Sequence, residues 1–228
     1  MPTIDLVERV ANELEQKILG GEIGPGQRLP PERALGTQLG VSRSVVREAI
    51  KRLQSLGLVA SVQGSGTRVE RPSRKPLRLS LERLVRAGDV SINDIWAVRI
   101  PLETAIAVMA AERRTDEHLR ELESLQEVLQ DPNTSVDDRA RADANFHATL
   151  AEATGNCLFS IVLAPLIELM TESKRQTIGA YGSESAYTHH AKILDAVRRQ
   201  DVHAAEEAMQ EHLSTNYEYL RELAGATT

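Results

Sequence analysis

The chain has 228 residues, a single cysteine and a formal net charge of −6. One cysteine excludes an internal disulfide and suits a reducing compartment. No apolar run reaches the roughly 18–20 residues that span a bilayer, and the acidic start MPTIDLVERV lacks the basic n-region of a secretory signal. The charge is uneven: residues 1–75 hold 12 Lys and Arg against 8 Asp and Glu, whereas residues 76–228 hold 15 against 25. A basic head on an acidic body points to an anionic partner for the head alone.

Along the chain, Leu6, Val7, Val10, Leu14 and Ile18 repeat at helical spacing until Gly20-Gly21 ends the pattern. Gly24-Pro25-Gly26 is a turn. Pro31 suits the first position of a short second helix, since the N–H it lacks would go unpaired there. Leu35 and Leu39 face inward and Gly40 closes that helix. Ser42 is a good N-cap for a third helix running to about Leu56, with Val46, Ile50 and Leu53 on its buried side. LVASV and TRVE then read as two strands of a hairpin, or wing, joined by Gln63-Gly64-Ser65-Gly66. Gly64 and Gly66 would let that wing approach a groove closely. Three helices and a hairpin make a winged helix-turn-helix over residues 1–70.

Residues 71–79, RPSRKPLRL, carry two prolines and four basic side chains and read as a linker. No strand signal follows. Helical patterns cover about 80–87, 92–113, 116–130, 136–153, 157–178, 185–199 and 201–223, so residues 80–228 are expected to form an all-helical bundle. Pro165 should kink its helix. The fold class is therefore mainly α.

Arg43, Arg47 and Lys51 recur every four residues on the third helix and share a face. Like charges at that spacing weaken a free helix, so a polyanion is needed to make sense of them, and duplex DNA is the obvious one. A helix-turn-helix sets the N-terminal end of its second helix into the major groove. Arg43, Ser44 and Arg47 stand at that end, and arginine can grip guanine O6 and N7 with two hydrogen bonds. Ser42 and nearby backbone N–H groups suit phosphate, and Arg33, at the start of the preceding helix, is within reach of the backbone.

In the second half, Asp143 and His147 lie one helical turn apart, and His190 and His212 stand on two further helices. One carboxylate and three imidazoles from three helices could converge on a borderline divalent ion, zinc or nickel; taken singly, each histidine is more often a surface or satisfied core residue. Arg99, four residues before Glu103, reads either as a helical ion pair or as a clamp for a ligand carboxylate. Arg175 is a second cationic candidate for the pocket. No separate Glu, Ser or Cys stands at a spacing that would add a general base or nucleophile, and a DNA-reading head has no use in a hydrolase, so an enzyme is not expected.

The stretch GGEIGPGQRLPPERALGTQLGVSRSVVREAIKRLQSLGLV resembles the DNA-binding domain of the GntR family of bacterial transcription regulators, over residues 4–70. RIPLE (99–103), DANFHATLAEATGN (143–156), HAKILDAVRRQDVHAAEEAM (190–209) and HL (212–213) resemble the helical FCD ligand-binding domain of the FadR subfamily. The resemblance implies a cytoplasmic bacterial homodimer that binds a palindromic operator in double-stranded DNA, as most relatives do to repress. It implies DNA contacts at Arg33, Ser42, Arg43, Ser44, Arg47 and Gly64. It also implies metal ligands at Asp143, His147, His190 and His212. The register of Ile193 and Ala196 favours His190 over its neighbour His189. Arg99 would then clamp a small carboxylate effector beside the ion. Two variants keep the same shape: a sensor for which the metal is itself the signal, and a sensor of an acyl-CoA or other lipid-derived ligand.

Overall fold

The computed structural model describes residues 3–62, 66–70 and 75–226. They divide into two compact units, with the boundary between Leu77 and Arg78. None of the described helices is long and apolar enough to cross a membrane.

The first unit contains α1 (Thr3–Leu19), α2 (Glu32–Leu39), α3 (Arg43–Ser55) and the antiparallel pair β1 (Val59–Val62) and β2 (Gly66–Val69). Val10, Leu14 and Ile18 of α1 pack against Val46, Ile50 and Leu53 of α3, with Leu35 of α2 and Val59 and Val69 of the hairpin completing the core. Pro31, expected inside the first turn of α2, is instead the residue before it, at φ −54° and ψ 145°. Its ring presets the extended entry and α2 starts one residue later. Between α2 and α3 the chain turns so tightly that a Cβ on Gly36 would lie 2.9 Å from the Val41 carbonyl oxygen. Gly36 is what lets the two helices of the motif close up. Gly66 has φ +81°, a conformation that L side chains rarely adopt, so this glycine answers to the backbone of the hairpin. Residues 63–65, and Gly64 with them, lie outside the described residues.

The second unit is built from most of α4 (Lys75–Ala87) and from α5 (Ile92–Arg113), α6 (Asp116–Gln130), α7 (Val136–Ala153), α8 (Cys157–Tyr181), α9 (Glu184–Arg199) and α10 (Val202–Ala226). The expected linker needs correction: residues 75–79 are already helical, and residues 71–74 lie outside the described residues. Pro76 misled the reading, because in a first turn a proline forfeits no hydrogen bond. α5 begins at a capping box, in which Ser91 Oγ accepts from the Asp94 N–H and Asp94 accepts from the Ser91 N–H. Asn156 caps α8 by accepting the Leu158 N–H at 3.1 Å. α8 runs as one helix through Pro165. Phe146, Leu150, Ile106, Leu122, Ile193, Met209 and Leu213 form the centre of the core, drawn from α5, α6, α7, α9 and α10.

Candidate functional site

The two units carry polar clusters of opposite character. On the first, the N-terminal end of α3 is solvent-exposed, with Ser42, Arg43, Ser44 and Arg47 all at the surface and Arg33 exposed on α2. Ser42 Oγ accepts the Val45 N–H and lies 2.9 Å from Ser44 Oγ. Arg33, Ser42 and Arg43 line one shallow cleft with Gly40 and Val41. The sequence reading missed Glu32. Arg43 Nε donates to its carboxylate at 2.6 Å, and Arg47 donates through Nε and Nη2 at 3.3 Å. Hydrogen bonds from Arg47 and then Arg43 hold the Glu32 carboxyl below its ordinary range. Lys51 turns to Glu48 instead, at 2.8 Å. The cationic stripe thus has internal partners. The signal was available: Glu32 opens α2, and only the tight Gly36–Val41 turn brings that end of the helix against α3.

In the second unit, four side chains from three helices meet inside the bundle. Asp143 and His147 lie on α7, His190 on α9 and His212 on α10, and one ligand atom from each falls within 4.8 Å of all the others. His212 Nε2 is 3.2 Å from His190 Nε2 and 3.2 Å from His147 Nε2, while His190 Nε2 is 3.5 Å from Asp143 Oδ1. A neutral imidazole has one donor and one acceptor nitrogen, so three converging Nε2 atoms cannot all be satisfied by one another. Ligands about 2.0–2.1 Å from a common ion stand roughly 2.8–3.4 Å apart in octahedral or tetrahedral geometry. The residues present therefore fit a divalent metal ion. Burial, more than any neighbouring charge, pushes the His190 and His212 imidazoles well below the usual histidine range, which keeps them in the neutral form a metal requires. His189 faces elsewhere, with Nδ1 2.9 Å from the Ser185 carbonyl and Nε2 3.7 Å from Glu211. His118 belongs to the Thr115 cap of α6, and His203 is exposed.

A second layer surrounds the four. Glu103, only 1% exposed, accepts from Arg99 Nε at 2.6 Å through Oε1, and its Oε2 lies against His147 Nδ1. A carboxylate at that position favours the His147 proton on Nδ1, which would leave Nε2 for the cluster. Burial alone would raise the Glu103 pKa, but Arg99 and His147 outweigh it and hold it at about 2. Arg99 is both an intrahelical ion pair and a pocket residue: its guanidinium lies 4.8 Å from the centre of the Trp96 ring. A cavity of about 40 Å³ opens beside the cluster, lined by Trp96, Arg99, Asp143, His147, Lys174 and Asn216 among others. Asn216 Nδ2 is 3.2 Å from His212 Nε2, one helical turn along α10, and was missed in the sequence. Arg175 is not in this cavity. It pairs at the surface with Asp137 at 2.8 Å and Glu172 at 3.4 Å. Its neighbour Lys174 takes the place expected of it, with Nζ 2.7 Å from Asp143 Oδ1. One residue along an α-helix is a rotation of about 100°, and Lys174, not Arg175, is in phase with Met170, Thr171 and Thr177 on the cavity side. Burial would raise the Asp143 pKa, but Lys174, then His190 and His147, hold it at about 2.

Comparison with known proteins agrees with this division. Residues 6–69 match the model for bacterial regulatory proteins of the gntR family, and residues 94–215 match the FCD domain. The HTH-type transcriptional repressor NanR of Citrobacter rodentium (strain ICC168) is 34% identical over 220 residues, spanning 92% of this chain and 83% of that protein. Its counterpart in Escherichia coli (strain K12) is 33% identical over the same length. A Streptococcus agalactiae GntR structure superposes with a TM-score of 0.69 at 31% identity, covering 93% of this chain and 99% of that one. A Pseudomonas syringae pv. tomato regulator of the same family, with a TM-score of 0.52 and 20% identity, shares the fold. The chain belongs to the GntR family of DNA-binding bacterial transcription regulators, with a C-terminal FCD domain.

Proposed function

We propose that the chain is a repressor whose grip on a palindromic operator, taken as a homodimer, is set by a small carboxylate effector bound beside a divalent metal ion in the FCD domain. The observation that carries this reading is the meeting of three imidazole Nε2 atoms and one carboxylate oxygen at the wall of a cavity that Arg99 and Lys174 also line. Asp143, His147, His190 and His212 would hold the ion, zinc or nickel by the softness of the donor set. Bound there, it would supply a Lewis-acidic position for an oxygen ligand. Glu103 keeps His147 in the competent tautomer. Arg99 spends its Nε on Glu103, which leaves its Nη groups for an effector carboxylate, and the Trp96 ring fixes the plane of the guanidinium. A volume of about 40 Å³ is room for a few waters, which favours a small polar acid over an acyl chain. On the DNA side, Arg43 and Arg47 would read base edges, while Ser42, Ser44 and Arg33 would hold phosphate, with Gly64 at the wing.

The effector can act only by binding one arrangement of the dimer better than another, and DNA must then affect effector affinity by the same factor. The test is a thermal-shift screen of organic and sugar acids on metal-loaded protein, with elemental analysis of the same sample. One acid should raise the melting temperature and change operator affinity. Arg99→Ala should abolish that shift while the metal remains, and His147→Ala should remove the ion. Full metal content in the His147 variant would refute the ligand set, and an undiminished shift in the Arg99 variant would refute the clamp.

A further inference from the structure

The buried charges around the cavity cancel. Arg99 and Lys174 bring two positive charges, Glu103 and Asp143 two negative ones. Asp143 owes its neutralisation to Lys174, whose side chain is only 16% exposed and whose Nζ stands 2.7 Å from Oδ1. That same Oδ1 is the oxygen 3.5 Å from His190 Nε2, on the side of the imidazole cluster. One carboxylate oxygen therefore serves both the ammonium and the candidate metal position.

We propose that Lys174 is an exchangeable counter-ion: it neutralises Asp143 in the metal-free protein, gives up the carboxylate when a divalent cation enters, and is then free to bind an anionic ligand in the cavity together with Arg99. This rests on the reading of Asp143, His147, His190 and His212 as a metal centre. A cation at ordinary bonding distance from Oδ1 would stand roughly 4–5 Å from Nζ in its present place. A dication and an ammonium that close, in a site largely shielded from water, repel strongly. The lysine can yield, because its charge sits at the end of a flexible four-carbon stem, and its side chain already lines the cavity. Adding a dication to a balanced set of charges leaves two positive charges without partners. Buried charge in that state demands an anion, and a carboxylate or dicarboxylate is the class that would supply it. Metal loading thus creates the anion site rather than merely adding one ligand to it.

Zinc affinity of the full chain, measured by competition with a chromophoric chelator, tests the exchange. Lys174→Gln and Lys174→Met remove the competing charge and keep most of the stem. Both should bind zinc more tightly than the native protein, by roughly tenfold or more. Both should also show a larger zinc-induced rise in melting temperature, because their metal-free forms leave Asp143 unpaired. Lys174→Arg keeps the cation and should stay near the native affinity. Native protein that binds zinc while the Gln and Met variants bind it equally or more weakly would overturn the exchange alone. Native protein that binds no zinc, indistinguishable from His147→Ala, would overturn the metal centre and the exchange with it.

Discussion

The two units use the same chemistry, arginine or lysine against carboxylate, in opposite surroundings. Around Glu32 the pairs are exposed, with the Arg43 and Arg47 side chains 67% and 50% accessible. Around Glu103 and Asp143 the carboxylates are almost wholly enclosed. In water such a pair is screened and easily exchanged for another partner. Inside a bundle it is held by the lack of any alternative, and only another ion can take its place. The first arrangement suits a surface that must let go and bind again. The second suits a site that registers a small charged ligand.

That contrast can be broken by mutation. The largest effect should come from Glu103→Ala, which leaves the Arg99 guanidinium buried without its partner. A loss of about 3–5 kcal/mol in unfolding free energy is expected, measured by urea denaturation. A loss below about 1 kcal/mol would mean that the interior pair behaves like a surface one. Next, Arg47→Ala should lower specific operator affinity by roughly ten- to a hundredfold in fluorescence anisotropy while leaving the melting temperature in place. Unchanged binding would remove Arg47 from the recognition surface. A pH titration sharpens the same point. Folded His190 and His212 are held neutral by burial, whereas the unfolded chain protonates them below about pH 6.5. Their stability contribution is therefore complete above that pH and lost as the pH falls below it. Metal-stripped protein should melt progressively lower from pH 6.5 to 5.5, and a flat profile would contradict the burial argument. The smallest effect should come from Lys192→Ala, which severs an exposed pair with Glu211. Its change should stay under about 1 kcal/mol and shrink further in high salt.

Much of this architecture was legible in the residues. Caps at Ser42 and Asn156 and breakers such as Gly155-Asn156 mark helix ends by local rules that tertiary structure did not override. The four candidate ligands were legible because Asp143 and His147 share a face and the resemblance to FCD domains supplied the two histidines beyond it. What the sequence hid depends on phase or on distance along the chain. Arg175 stood as a second cationic candidate for the pocket, yet the cavity face of α8 runs through its neighbour Lys174. Glu32 lies eleven and fifteen residues before its two arginines, and no periodicity links them. Glu103 was visible as a partner of Arg99, but its contact with His147 crosses from α5 to α7 and exists only in the folded bundle. The start of α4 was hidden by composition, because prolines and basic side chains describe a first helical turn as well as they describe a tether.

The Glu32 carboxylate has a bearing on how such a protein searches a chromosome. As the proposed readers of DNA, Arg43 and Arg47 would arrive at any duplex with an anion already in hand. In the proposed reading, a random stretch of phosphates would exchange for that anion with little net gain, whereas a site with guanines in register would offer each guanidinium two acceptors at once. If Arg43 and Arg47 read bases as proposed, a single acidic side chain at the mouth of α2 would weaken grip on the wrong sequence more than on the right one, without itself touching a base.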